Sequence, residues 1–131
     1  MTRREIREHI FLMLFRKDFH NSQDLLEQVE IYLSQLEEAT IEERAYLDKR
    51  FSAILEKLTE IDKMLSTSAS GWTLDRMGKV ELTVLRLAVY EMHFDEDIPV
   101  KVAINEAVEL AKGFGGDETP GFVNGVLAKL T

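Results

Sequence analysis

The sequence contains no cysteine. Disulfides, thiolate metal sites and a cysteine nucleophile are therefore excluded, and the absence fits a reducing compartment. Only two prolines, Pro99 and Pro120, interrupt 131 residues. Strand-like alternation of apolar and polar side chains is nearly absent, so the pattern predicts an all-α fold. Long hydrophobic runs are missing too. Ile10 to Phe15 is six apolar residues, too short for a signal core or a membrane span, and the chain is expected to be soluble and cytoplasmic with no membrane contact. Positive charge is scarce: 16 basic against 24 acidic side chains give a net charge of −8, which at first sight argues against nucleic acid.

The distribution of that charge matters more than its sum. Residues 1–20 carry five basic and three acidic groups, residues 21–63 five against eleven, and residues 64–131 six against ten. The N-terminus is the only positive region. A small basic patch on an acidic body suits weak or assisted phosphate binding; the bland alternative is a solvated helix end. The chain is 45% hydrophobic, enough for one domain with a real core.

Helix signals punctuate the chain. Thr2-Arg-Arg-Glu5 and Thr40-Ile-Glu-Glu43 each match a capping box, and Asn21-Ser22 offers a cap between them. The first helix is expected to run to about Lys17. Leu25, Val29, Tyr32/Leu33 and Leu36 keep one face of the second apolar. Leu47, Phe51, Ile54, Leu58, Ile61 and Leu65 alternate spacings of four and three, as in a bundle helix. Ser66 to Gly71, small and uncharged, reads as a linker, and Trp72 to Met77 as a short helix. Val80 to His93 is a strong helix with Val84, Leu85, Leu87, Ala88 and Met92 as core. Pro99 opens the next, where Val100, Ala103, Ala107, Leu110 and Phe114 share a face with Ile104, Val108 and Ala111 beside it. Thr119 is expected to cap the last, with Pro120 at its first position. The expectation is two small packed helical bundles with six to seven helices, an N-terminal half at about 1–65 and a C-terminal half at about 72–131.

Catalytic constellations do not appear. Lys112-Gly-Phe-Gly-Gly-Asp lacks the ending of a P-loop, and Glu118 stands where a dinucleotide fingerprint needs glycine, so Gly113, Gly115 and Gly116 read as helix punctuation. His9, His20 and His93 have no partners at metal-ligand spacing. No serine sits in a nucleophile elbow. Nothing in the chain calls for an enzyme, a metal or a cofactor. Asn105, Asn124 and Gly125 are poor helix formers at mid-helix positions; the asparagines are expected to satisfy groups inside the domain and Gly125 to admit a neighbouring helix. The N-terminal arginines are more informative. At about 100° per residue, Arg3, Arg4 and Arg7 fall in one sector of the first helix, with Phe11 inside it and Phe15 at its edge. Guanidinium groups can pair with phosphates and an exposed ring can stack on an unpaired base. Either phenylalanine is otherwise simply core.

Trp72, Arg76, Val84-Leu-Arg-Leu-Ala-Val-Tyr-Glu91, Pro99, Val102-Ala-Ile-Asn-Glu-Ala-Val-Glu-Leu-Ala-Lys112 and Phe122-Val-Asn-Gly-Val-Leu127 together resemble the NusB family of bacterial transcription antitermination factors. The resemblance covers nearly the whole second half and, more loosely, the arginine-bearing first helix. It implies an all-helical fold of two small bundles. It also implies binding of a short single-stranded boxA element in nascent RNA, together with a small ribosomal-subunit protein, NusE. The pair would help RNA polymerase in the transcription elongation complex read through terminators, notably in ribosomal RNA operons. The arginine-rich start of the family falls on Arg3, Arg4 and Arg7. The aromatic that ends its first apolar run, usually tyrosine, falls on Phe15. Its acidic loop residue falls on Glu118, its loop-helix phenylalanine on Phe122, and its partner-facing, RNA-proximal surface around Glu81. The chain departs from the family at Glu5, where many members have a further arginine, at Leu12, where many have glutamine, and at Phe15, which lacks the tyrosine hydroxyl. These departures imply weaker RNA affinity alone and more dependence on the partner. The rival expectation is a protein-only helical scaffold whose acidic surface recruits a basic partner.

Overall fold

The computed structural model describes residues 1–68 and 73–131. Among them seven α-helices form and no strand. No helix of these residues is long and apolar enough to cross a membrane, and none of their His, Asp or Glu side chains cluster as a metal site. The chain divides into two compact units, Met1–Leu55 and Glu56–Thr131.

The first unit comprises α1 (Arg3–Phe15), a 3-10 turn (Arg16–Phe19), α2 (Ser22–Ser34) and α3 (Ile41–Glu56). Both capping boxes form. Thr2 Oγ1 accepts from the Glu5 amide at 3.1 Å while the Thr2 amide donates to Glu5 Oε1 at 3.0 Å. Thr40 and Glu43 repeat the exchange at 3.1 and 2.9 Å. Each box occupies two of the backbone donors that a helix start leaves unpaired. Asn21 caps α2 by accepting from the Asp24 amide. The unit's buried apolar side chains include Ile10, Phe11, Met13 and Leu14 from α1, Leu25 and Val29 from α2, and Leu47, Phe51 and Ile54 from α3. Polar side chains fasten its edges. Arg44 donates twice to the Leu36 carbonyl, and the Met1 ammonium pairs with Glu43. The Tyr32 hydroxyl lies 2.6 Å from His9 Nδ1. Burial raises the Tyr32 phenol above its ordinary pKa, against the opposing charge of Arg16.

The second unit holds α4 (Leu58–Ser68), a 3-10 turn (Leu74–Arg76), α5 (Lys79–Phe94), α6 (Val100–Phe114) and α7 (Thr119–Ala128). Every residue of α5 from Leu82 to Val89 is buried, along with Glu91 and Met92. An apolar stripe does not describe such a helix; it is the spine on which α4, α6 and α7 pack. Its one internal cation, Arg86, is only 8% exposed. Arg86 Nε donates to Asp62 Oδ1 at 2.9 Å and Nη2 to Oδ2 at 3.0 Å, the paired geometry in which a buried guanidinium is best satisfied.

Several sequence expectations are corrected here. Leu47, Phe51, Ile54, Leu58, Ile61 and Leu65 are all buried but do not share one helix: α3 ends at Glu56 and α4 begins at Leu58. Ser66 and Ser68 are not linker, because α4 continues to Ser68. The hydroxyls of Ser66, Thr67 and Ser68 bond back to carbonyls one turn earlier, which lets polar residues finish a helix. Ala69, Ser70 and Gly71 of the expected linker, and Trp72 of the expected short helix, lie outside the described residues. Val100 and Phe114 are exposed, while Ala103, Ala107, Leu110 and Ala111 form the buried face of α6. Asn105 and Asn124 are exposed rather than turned inward. A Cβ on Gly125 would meet nothing within 4 Å, so no neighbouring helix demands it, and nothing in the structure explains this glycine.

Candidate nucleic-acid interface

In the first unit the expected site lies along α1. Arg3 and Arg4 are exposed and Arg7 is half-buried. Three cations in the first two turns of a helix oppose its macrodipole, whose positive end is the N-terminus. The arrangement costs stability locally and concentrates positive potential where an anion would be favoured. Arg4 and Arg7 already have interaction partners, so a phosphate would exchange for those contacts.

The aromatic residues separate by depth. Phe11 is 2% exposed and belongs to the core, as the bland reading of that ring has it. Phe15 is half-buried. Its ring stacks on Phe11 with centroids 5.9 Å apart and planes 27° from parallel. The core therefore fixes the Phe15 ring from behind, as a stacking platform requires.

Glu5, which dilutes the cationic patch, has a structural task. The Thr2 amide, first, and the Thr2 hydroxyl, second, hold its carboxyl below the usual carboxylate range. A lowered folded-state value means that the contribution to stability is present above the unfolded value and is lost as pH falls through the folded one. NMR titration of Glu5 is therefore expected to show a midpoint below the ordinary 4.5. Glu5→Gln is expected to keep the cap, remove that titration and strengthen RNA binding modestly, roughly twofold, by deleting a negative charge beside the arginines.

In the second unit Glu118 is the exposed N-cap residue of α7 and makes no side-chain cap bond. Phe122 follows one turn later, half-buried, its amide bonded to the Glu118 carbonyl at 3.2 Å. Spacing of four residues sets the two on one side of the first turn. No motif in the sequence marks how this turn is held. Thr119 Oγ1 accepts from the Gly116 amide at 3.1 Å and donates to Glu81 Oε1 at 3.2 Å. Glu81, expected on a partner-facing surface, is thus committed at least in part to α7. Thr119 also explains a glycine: a Cβ on Gly115 would stand 2.7 Å from the threonine side chain. The glycine cluster ends α6, with the Gly115 amide bonded to the Ala111 carbonyl, and lets Thr119 approach. Phe114, 39% exposed at the end of α6, is a further open ring that the sequence assigned to the core face.

The profile of the NusB family matches residues 4–131. The chain belongs to the NusB family. It is 59% identical over 130 residues to the transcription antitermination protein NusB of Lachnoclostridium phytofermentans, covering 99% of this chain and 98% of the relative. The solved NusB of T. maritima superposes with a TM-score of 0.84 at 33% identity, covering 99% of this chain and 90% of the other. A solved complex of the antitermination factors NusB and NusE with double-stranded RNA contains a chain with a TM-score of 0.77 at 27% identity, covering 96% and 92%. Membership in the NusB family places the chain among non-enzymatic antitermination factors and accounts for the absence of catalytic constellations from its sequence.

Proposed function

We propose that this NusB-family chain acts in transcription antitermination by binding unpaired boxA RNA together with the small ribosomal-subunit protein NusE, within the transcription elongation complex. The observation that carries the RNA reading is the N-terminus of α1. There Arg3, Arg4 and Arg7 crowd the positive end of a capped helix on an otherwise acidic chain, and the Phe15 ring sits on a buried support. Arg3, Arg4 and Arg7 contact phosphates. Phe15, and Phe122 in the second unit, contact bases, while Glu118 accepts from a base amine or a sugar hydroxyl. Glu81 contributes to the partner-binding surface and holds Thr119 at the start of α7. The RNA in the solved NusB–NusE complex is double-stranded; the rings of this chain favour an unpaired strand, whose bases are free to stack.

The net charge of −8 makes the RNA contact weak by itself and favours a basic protein partner alongside it. A gel shift with boxA RNA, run with and without NusE, tests this: the shift is expected to be stronger in the presence of the protein. Arg7→Ala is expected to weaken the RNA complex several-fold while leaving the circular dichroism spectrum and melting temperature close to those of the parent. Unchanged RNA affinity in a folded Arg7→Ala variant would contradict the assignment. Capture of NusE without RNA binding in either lane would favour a protein-only scaffold.

A further inference from the structure

We propose that Phe19 is an additional base-contacting residue, extending the platform begun by Phe15; the inference rests on the reading that this end of α1 meets RNA. Phe19 is 55% exposed, more open than Tyr46 at 46% or Phe114 at 39%. A single exposed phenylalanine needs no explanation by itself. This one has a particular setting. Its ring lies 5.2 Å from that of Phe15 with planes 52° apart, and Phe15 in turn stacks on the buried Phe11. Three rings at intervals of four residues thus lead from core to surface. The 3-10 turn Arg16–Phe19 continues the chain past the end of α1 in a tighter winding and brings the third ring beside the second. A base meeting Phe19 would find a rigid surface whose ordering cost is already largely met by Phe15, the property that makes aromatic side chains effective single-strand platforms.

The neighbouring charges indicate what kind of contact this is. Arg16 is used internally: it donates to the Leu12 carbonyl and its guanidinium lies 4.5 Å from the centre of the Tyr32 ring. Phe19 therefore adds a stacking contact without an accompanying phosphate contact from Arg16. Its removal weakens binding without changing how binding responds to salt. That separates Phe19 from Arg7, whose removal flattens the salt dependence.

The test uses the full chain with NusE and a fluorescently labelled, unpaired boxA oligoribonucleotide, titrated over a series of salt concentrations. Phe19→Ala is expected to weaken binding roughly tenfold with the slope of log affinity against log salt unchanged. Phe19→Leu, which keeps apolar volume without a ring, should behave like the alanine variant. Phe19→Trp in a Trp72→Phe background should restore affinity and show indole fluorescence quenched on adding RNA. Melting curves check that each variant is folded. If the parent binds and folded Phe19→Ala binds equally well, the inference about Phe19 is wrong and the RNA reading stands. If Phe19→Ala loses affinity for NusE alone but not for RNA, the ring is a protein contact and the inference is likewise overturned. If the parent binds no RNA with or without NusE, the functional reading itself fails and the Phe19 assignment with it.

Discussion

Asp62→Ala is expected to destabilise the second unit by about 3 kcal/mol, read as a lower urea midpoint at unchanged slope. The expectation comes from the asymmetry of buried ion pairs. Arg86 stays on α5, 8% exposed, and loses the carboxylate that accepts two of its N–H groups. Moving a guanidinium out of the interior requires unpacking the helix on which α4, α6 and α7 rest, so the charge stays buried at a cost. The Asp62 side chain is 28% exposed, and water can reach the vacated position; the lower end of the range for broken buried pairs applies. Replacing both partners, as Asp62→Leu with Arg86→Met, is expected to recover most of the loss, because the buried guanidinium is removed together with its carboxylate. Equal destabilisation in the single and double variants would show that the pair matters for its packing and not for its charge.

The largest effect on binding is expected from replacing Arg3, Arg4 and Arg7 together by alanine. Each phosphate neutralised on a single strand releases close to one counterion and contributes about 0.7 to the slope of log affinity against log salt. Loss of three such contacts should make the slope shallower by about 2 and weaken binding about fiftyfold at physiological salt. Arg3 and Arg4 are exposed and the cap between Thr2 and Glu5 is untouched, so the triple variant should fold. A triple variant with the parent's affinity and slope would show that the arginines are a solvated helix end.

What the sequence displayed was chiefly local. Thr2 with Glu5 and Thr40 with Glu43 are three residues apart, and both boxes formed where the spacing placed them. Interactions between distant parts of the chain were hidden. Asp62 and Arg86 lie 24 residues apart, and no pattern of charges on one helix names its partner on another. The break at Lys57 carries neither proline nor glycine, the two residues that mark such breaks in a sequence. Periodicity also fixes the relative phase of side chains better than the direction they face. Val123, Val126 and Leu127 form the buried side of α7, which turns Asn124 and Gly125 outward, the reverse of what their poor helix propensity implied. In the candidate interface, the positions of Arg3, Arg4 and Arg7 on one helix were legible from their spacing. The separation of Phe11 from Phe15 was not, because both lie near the same sector and only packing decides which ring is covered. Phe19 escaped notice because a helix drawn to Lys17 ends before it.

A cationic helix start with ring platforms is expected to prefer an unpaired ribonucleotide strand. Affinity for boxA RNA as a single strand, compared with the same sequence in a duplex, both with NusE present and both across a salt series, tests it most directly. Tighter binding of the single strand is expected, weakening with salt at a slope of about −2 or steeper. Equal or tighter binding of the duplex, or single-strand binding insensitive to salt, would contradict it.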